Sequence, residues 1–348
     1  MQKYDFAFIV HPRSKQELIS SFSLFRFIPN FLLYLFPPRI IGEVILEQKG
    51  KIASRGALVA ILNTPAQFLK RDKKIKKKIL AGISLAQKHG AKIVGLGSLS
   101  SPAVSGGLDI QEQAEISITN GNALTAAVVI NDIKDFSQML QKRDKKIDIA
   151  IIGATGSIGQ AVSRAIAEYA NSLTIIARKK DKLDDLASQI KAQRPDMTLI
   201  SSSTTEDAKK SNIIIVATSH HEAVLHPNGI KKGTIIYDIT QPSNLKKSDW
   251  IDRNDILVIQ GGLVSFHGLR VDPIIGLKEE ESFACLAETI LLSITGKTSQ
   301  DFSVGYVTSE NIKKIEKLSK QFNVFALPKK WNNKLDSNEI KIFIQKYD

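Results

Sequence analysis

The stretch that most constrains this chain is Ile147 to Arg178, IDIAIIGATGSIGQAVSRAIAEYANSLTIIAR. An apolar strand runs into a turn containing Gly153, Gly156 and Gly159. An amphipathic helical pattern follows, and then a second apolar strand that ends on a base. This is a βαβ unit with a glycine turn at its first junction. Gly153 permits the tight turn, Gly156 lets the backbone approach a pyrophosphate, and Gly159 lets helix and strand pack closely. The helix N-terminus then faces the phosphates. A glycine triplet alone specifies little, but one that follows a strand and opens a helix specifies a nucleotide-binding turn rather than a turn that binds nothing.

The end of the second strand bears on cofactor choice. An NAD site places an acid there, roughly twenty residues past the glycines, to hold the ribose 2′-hydroxyl. Arg178, Lys179 and Lys180 stand in its place. Bases favour a 2′-phosphate, so the expected cofactor is NADP(H); a solvated basic turn is the bland alternative. Ile213 to Ala217 reads as another bare apolar strand, and the loop from Thr218 through Ser219, His220 and His221 falls where a doubly wound sheet faces the nicotinamide. Strands at Thr234–Asp238 and Ile256–Ile259 continue the pattern. Gly261 and Gly262 then let a ring approach. Alternating βα units predict a parallel sheet, hence an α/β, Rossmann-type doubly wound domain over residues 145–263.

At 348 residues there is room for more than this one domain. Residues 1–140 read as a second α/β domain, and 264–348 as a helical segment returning to it. Its first strand is Tyr4 to Val10, followed by Ser14 to Glu17 with capping-box spacing. Phe22 to Phe36, FSLFRFIPNFLLYLF, is apolar but short, and Pro29 breaks it, so it does not span a bilayer. It lines a greasy pocket, rests on a membrane surface as a peripheral contact, or forms a buried helix pair. Strands at Ile40–Gln48 and Lys51–Leu62 flank a Lys49-Gly50 turn. KRDKKIKKK at Lys70–Lys78 then leads into an apolar pattern and so starts one long helix. A strand at Lys92–Leu96 follows, and Asn122 is placed to cap a helix running to about Ile133.

A net charge of +13 calls for an acidic partner: an acidic protein, anionic lipid or a phosphorylated ligand. The basic run has no interleaved aromatics, and neither helix-turn-helix nor zinc spacing appears, so neither nucleic acid nor a metal is expected. One cysteine precludes an intramolecular disulfide. With no signal-like segment and no long apolar run, the expected location is cytoplasmic. That cysteine, Cys285, sits in a helical pattern from Glu279 to Ile294 that has three acids in its first turn and Gly296 as its stop. Small neighbours and an early-helix position favour an accessible thiolate, and a buried, inert cysteine is the alternative.

Several segments together resemble the cyanobacterial-type long-chain acyl-[acyl-carrier-protein] reductases. LAQKHG at Leu85–Gly90 with Ser100 and Ser101, and Gly121-Asn122 with Thr125-Ala126, are similar to that family's N-terminal domain. GATGSIG matches its cofactor turn, which implies cofactor contacts from Gly153, Thr155, Gly156, Ser157, Ile158 and Gly159. Arg178 and Lys179, Thr218, and Gly261 extend that set. Asp238 with Pro242 and Asn244 resembles a later loop. FACLAE at Phe283–Glu288 is similar to the segment carrying the family's catalytic cysteine, which implies Cys285 as nucleophile. The resemblance implies reduction of a fatty acyl thioester to a fatty aldehyde by NADPH, residues 1–140 binding the acyl chain and the basic run near Lys73–Lys78 meeting an acyl carrier protein. Glu288, His220 and His267 are candidates for moving the proton. The chain departs from the family in its more apolar N-terminal segment and in an insertion around Ser265–His267.

Two other activities fit the same residues. One is a shikimate-dehydrogenase-like or alcohol dehydrogenase acting on a small substrate with no covalent step. The other is a non-catalytic NADP(H)-binding module.

Overall fold

The computed structural model describes residues 3–21, 23–141, 147–218, 224–241, 243–273, 275–296, 302–331 and 333–347. The strands in chain order are β1 (Phe6–Val10), β2 (Arg39–Gln48), β3 (Lys51–Ala60), β4 (Ile93–Leu96), β5 (Ser117–Thr119), β6 (Asp148–Ile152), β7 (Ser172–Ile176), β8 (Thr198–Ser202) and β9 (Ile213–Val216). There follow β10 (Ile235–Asp238), β11 (Leu257–Gln260), β12 (Leu263–Phe266), β13 (Leu269–Asp272), β14 (Glu281–Phe283), β15 (Val324–Ala326), β16 (Lys329–Lys330) and β17 (Asn333–Lys334). The chain forms two compact units, Met1–Leu124 with Val264–Phe325, and Thr125–Leu263 with Ala326–Asp348. Both are α/β, and the second is Rossmann-type.

In the first unit the sheet order is β13-β2-β3-β1-β4-β5. β1 pairs in parallel with β3 and β4, and β4 with β5, while β2 is antiparallel to β3 and β13. The β2–β3 turn puts Lys49 and Gly50 at φ 51° and 72°, the doubly positive geometry that matches strand twist in a tight hairpin. On one face of this sheet Ala7, Ile9, Ala57 and Val59 pack with Ile75, Ile79, Ile83 and Ala86. Those last four come from the Lys73–Lys88 helix, which buries this stripe and turns its lysines outward. That helix starts later than its basic run, because Asp72 caps it by accepting from the Ile75 N–H at 2.9 Å, leaving Lys70 and Arg71 outside.

The Ala284–Thr295 helix contacts β1, β3 and β4. Its Thr289 reaches Gly95 beside Phe8, on the sheet face opposite Ile9. The expected start at Glu279 is wrong by five residues. Glu280 has φ 60°, Glu281–Phe283 forms β14, and Phe283 is the extended N-cap, so no acid lies in the first turn. Gly296 does end the helix, at φ 63°. The helix that begins at Asn122 runs to Gln141, well past Ile133. Asn122 is its first residue rather than its cap, and the Asn122 N–H donates to Asn120 Oδ1 at 3.0 Å.

The second unit's sheet has the order β8-β7-β6-β9-β10-β11-β16-β17. Its first six strands are parallel, in the doubly wound 3-2-1-4-5-6 arrangement. β6, β9 and β10 are almost continuously buried, as strands covered on both faces must be. The final residues join this unit rather than returning with 264–325 to the first. β16 pairs antiparallel with β11, and the Tyr347 hydroxyl, just past the Ser337–Lys346 helix, donates to Asn254 O at 2.9 Å.

Candidate functional site

In the second unit the carboxyl end of β6 enters the glycine turn. The Gly153 N–H donates to Ile176 O at 2.9 Å, and the Gly156 N–H closes the turn on Gly153 O at 3.0 Å. Gly153 has φ 88°, and a Cβ on it would lie 2.5 Å from Ala217 O and 3.0 Å from Thr218 N, so Thr218 and the turn are immediate neighbours. A Cβ on Gly159 would lie 2.2 Å from Gly153 O. Internal packing therefore accounts for these two glycines. Gly156 is different: it is exposed, with an ordinary φ of −73°, and its Cβ would meet Gly153 O at 3.3 Å and little else. Packing asks less for glycine there than at Gly153 or Gly159, and the exposed backbone fits a group brought from outside. Gly156 is also the N-cap of the Ser157–Ile166 helix, so no cap side chain accepts from the first-turn N–H groups. A helix start in this form suits a dinucleotide pyrophosphate.

Thr155, Ser157 and Ile158 are half-buried around this turn. Arg178 and Lys179, just beyond β7, are exposed and have no ion-pair partner among the described residues, whereas Lys180 is engaged by Asp184 at 2.9 Å. Gly261 is buried, and its Cβ would sit 2.0 Å from the Tyr237 ring, so packing against Tyr237 explains it; Gly262, at φ 70°, has more room. Ser219, His220, His221 and Pro242 lie outside the described residues.

Two sets of polar partners here were not read from the sequence, although Asp238 itself stands in the loop that carries the family resemblance. The Tyr237 hydroxyl donates to Asp132 Oδ2 in the interior, and burial pushes the Asp132 carboxyl up to about 7. Asp238 accepts from the Thr240 N–H, the Thr240 hydroxyl and the Ser243 hydroxyl at 2.9, 2.6 and 2.5 Å. Burial raises its carboxyl and these bonds draw it back. A strand sequence gives no sign of such partners, one of which lies 105 positions away.

In the first unit Cys285 is the second residue of the Ala284–Thr295 helix, and two glycines bring this helix close to the sheet. A Cβ on Gly95 would lie 2.2 Å from Thr289 Oγ1. One on Gly121 (φ 70°) would lie 2.2 Å from the Cys285 Cβ. Glu288, one turn on and fully buried, accepts from the Thr119 hydroxyl at 2.6 Å and the Leu124 N–H at 2.8 Å. Thr119 Oγ1 in turn accepts from the Gly121 N–H at 3.2 Å. One carboxyl thus fixes the backbone against which the cysteine rests.

The electrostatics run against the expected thiolate. Backbone N–H groups of Leu286 and Cys285 itself draw the thiol pKa down, as a helix start should. Burial first, and the Glu288 charge second, outweigh them and push the thiol up to about 12. Burial also raises the Glu288 carboxyl, against the pull of its hydrogen bonds. His267 is on the β12–β13 turn, exposed and paired with Glu280 at 2.6 Å. The groove it lines, with Glu47, Arg270 and Asn323, does not include Cys285 or Glu288.

The shikimate/quinate 5-dehydrogenase family matches residues 134–257, within the second unit. Over 260 residues the chain is 26% identical to the aminotransferase PigE of a Serratia species, covering 73% of this chain but only 30% of PigE. Over 309 residues it is 26% identical to a long-chain acyl-[acyl-carrier-protein] reductase of Synechococcus elongatus, covering 81% of this chain and 86% of that one. Among solved structures, quinate dehydrogenase from Corynebacterium glutamicum in complex with NAD has TM-score 0.36 at 10% identity, covering 74% of this chain and 88% of that one. L-tryptophan dehydrogenase from Nostoc punctiforme has TM-score 0.39 at 10% identity, covering 92% and 81%. The second unit thus combines a Rossmann-type sheet with a segment that matches the shikimate/quinate 5-dehydrogenase family, and the chain is similar to NAD(P)-dependent dehydrogenases over that part.

Proposed function

We propose that this protein reduces a long-chain fatty acyl thioester, carried on acyl carrier protein or coenzyme A, to a fatty aldehyde at the expense of NADPH. The observation that carries the reading is the setting of Cys285 in the first helical turn, with glycine kept opposite it and a buried carboxyl one turn away. The likeness of most of the chain to the Synechococcus reductase supports it, together with the resemblance of FACLAE to the family's cysteine segment. The turn Gly153–Gly159 would hold the pyrophosphate, and Arg178 and Lys179 would hold the 2′-phosphate. When bound, the reduced nicotinamide supplies the hydride.

The Cys285 sulfur attacks the thioester carbonyl, an S–C bond forms, and the carrier leaves as its thiolate. Reduction of the acyl-enzyme gives a thiohemiacetal, whose collapse breaks the S–C bond, releases the aldehyde and leaves the Cys285 thiolate to take back the proton it gave up on attack. A thiol at about 12 must lose its proton as it attacks, and Glu288, with a carboxyl raised by burial, is the group suited to take it. His267 is already engaged by Glu280.

The raised thiol pKa and the family match at 134–257 favour one other reading, hydride transfer to a small substrate without a covalent step. The two separate on NADPH oxidation with a long-chain acyl thioester, followed by intact mass after incubation with the thioester alone. An acyl adduct and aldehyde in the wild type, both lost in Cys285→Ser, support the reductase. Undiminished aldehyde formation by Cys285→Ser would remove the covalent step, and no oxidation with either acyl donor would leave the small-substrate dehydrogenase.

A further inference from the structure

The apolar stretch after the first strand forms two short 3-10 helices, Ser23–Phe27 and Asn30–Leu35. Phe25 and Leu33 are buried and pack with Leu18, Ala60 and Leu62, so the segment is anchored to the first unit. Four of its large apolar side chains face water: Leu24 is 69% exposed, Phe27 79%, Phe31 70% and Leu35 74%. Single exposed apolar residues are ordinary, but four large ones within twelve positions are not.

The N-terminus of the basic helix lies directly against this segment. Lys78 Nζ donates to Phe36 O at 2.7 Å, and the Tyr34 hydroxyl donates to Asp72, the helix cap, at 3.2 Å. The Lys74 ammonium sits 5.5 Å from the centre of the Tyr34 ring. Lys70, Arg71, Lys73, Lys74 and Lys77 are exposed. Asp72 is the single acid from Lys70 to Lys78, and Arg26 the single charge from Phe22 to Phe36.

We propose that this surface binds the anionic face of a lipid bilayer. Leu24, Phe27, Phe31 and Leu35 enter the headgroup–acyl boundary while the flanking lysines meet lipid phosphates. The pairing of exposed aromatic and aliphatic side chains with a predominantly basic rim, in which Asp72 is held by Tyr34 and Asp109 by Lys76, is the chemistry of an interfacial anchor. An acidic protein would use the lysines but gives no reason to keep the phenylalanines in water. A second copy would set like charge against like charge. No described helix is long and apolar enough to cross a membrane, so contact is at the interface.

The test is co-sedimentation of the full chain with phosphatidylcholine vesicles, with and without phosphatidylglycerol, at low and high salt. Binding to anionic vesicles is expected to be at least about tenfold tighter than to neutral ones and to weaken with salt. Both Phe27→Ser with Phe31→Ser and Lys73→Glu with Lys77→Glu should lose about tenfold in binding with an unchanged thermal melt. Wild-type protein that ignores anionic vesicles overturns the proposal. Vesicle binding that the phenylalanine variant leaves intact also overturns it, returning the lysines to an acidic protein. So does a concentration-dependent dimer that this variant abolishes, since the patch would then be covered by another copy. None of these readouts depends on Cys285 or on hydride transfer.

Discussion

At Gly121 two requirements meet, a φ of 70° and a backbone approach to Cys285 with no room for a methyl group. Gly121→Ala is expected to cost about 2–4 kcal/mol of stability, combining left-handed strain with overpacking. On the proposed reading, acylation of Cys285 should fall with it, while NADPH binding, assigned by that reading to the second unit, stays; denaturant melts, intact mass and cofactor fluorescence read stability, acylation and binding in turn. The thiol makes a separate prediction. With its pKa at about 12, alkylation of Cys285 by iodoacetamide in the free protein should be slow at neutral pH and climb with pH well above the range of an ordinary cysteine. Glu288→Gln, which removes an opposing charge, should shift that profile downward. Burial raises Asp132 as well, and there the consequence is for stability. Its folded pKa of about 7 lies above its unfolded value, so its contribution to stability is complete below the unfolded pKa. That contribution drains away as pH rises from about 4 to about 7, by up to about 4 kcal/mol at 1.36 kcal/mol per unit. Asp132→Asn should flatten that part of the stability profile.

At the scale of elements the glycine turn separates packing from binding. Gly159→Ala drives a methyl group into Gly153 O and should lower the melting temperature. Gly156→Ala meets Gly153 O at 3.3 Å, a tight contact that is far milder than the one at Gly159, and should lower the melt less while weakening NADPH binding roughly tenfold to a hundredfold, the worth of one or two charge-assisted hydrogen bonds. Arg178→Ala with Lys179→Ala should lose affinity for NADPH selectively over NADH, measured by titration of cofactor fluorescence. The βαβ unit was legible because periodicity, glycine spacing and the terminal bases all agree over one contiguous stretch. The Cys285 helix was misread at its start for a local reason: Glu279 to Glu281 look like a helix first turn, but Glu280 at φ 60° and strand pairing of Glu281–Phe283 with β12 claim that backbone first. The surroundings of Cys285 were illegible because Glu288 is held by Thr119, 169 positions earlier. Nothing in either segment announces a pairing over that separation.

For the whole molecule, the α/β class and the Rossmann-type sheet followed from alternating strands and helices, but the tail did not. Lys329–Lys334 is too short and polar to read as two strands, and it takes its place only because β11 offers an edge. Removing Ala326–Asp348 uncovers that edge and the site where Tyr347 meets Asn254. Such a truncation should lower the melting temperature of the second unit and weaken cofactor binding; a differential scan with and without NADPH measures both. The chain passes from one unit to the other near Leu124, Leu263 and Phe325, so neither is built from a single run. On a ribosome, the first unit therefore waits with its sheet edge open and without its cysteine helix until the entire parallel sheet of the second has been made. The segment that carries Cys285 is made only after that sheet, so a nascent chain can complete the parallel sheet of the second unit before its single cysteine is synthesised.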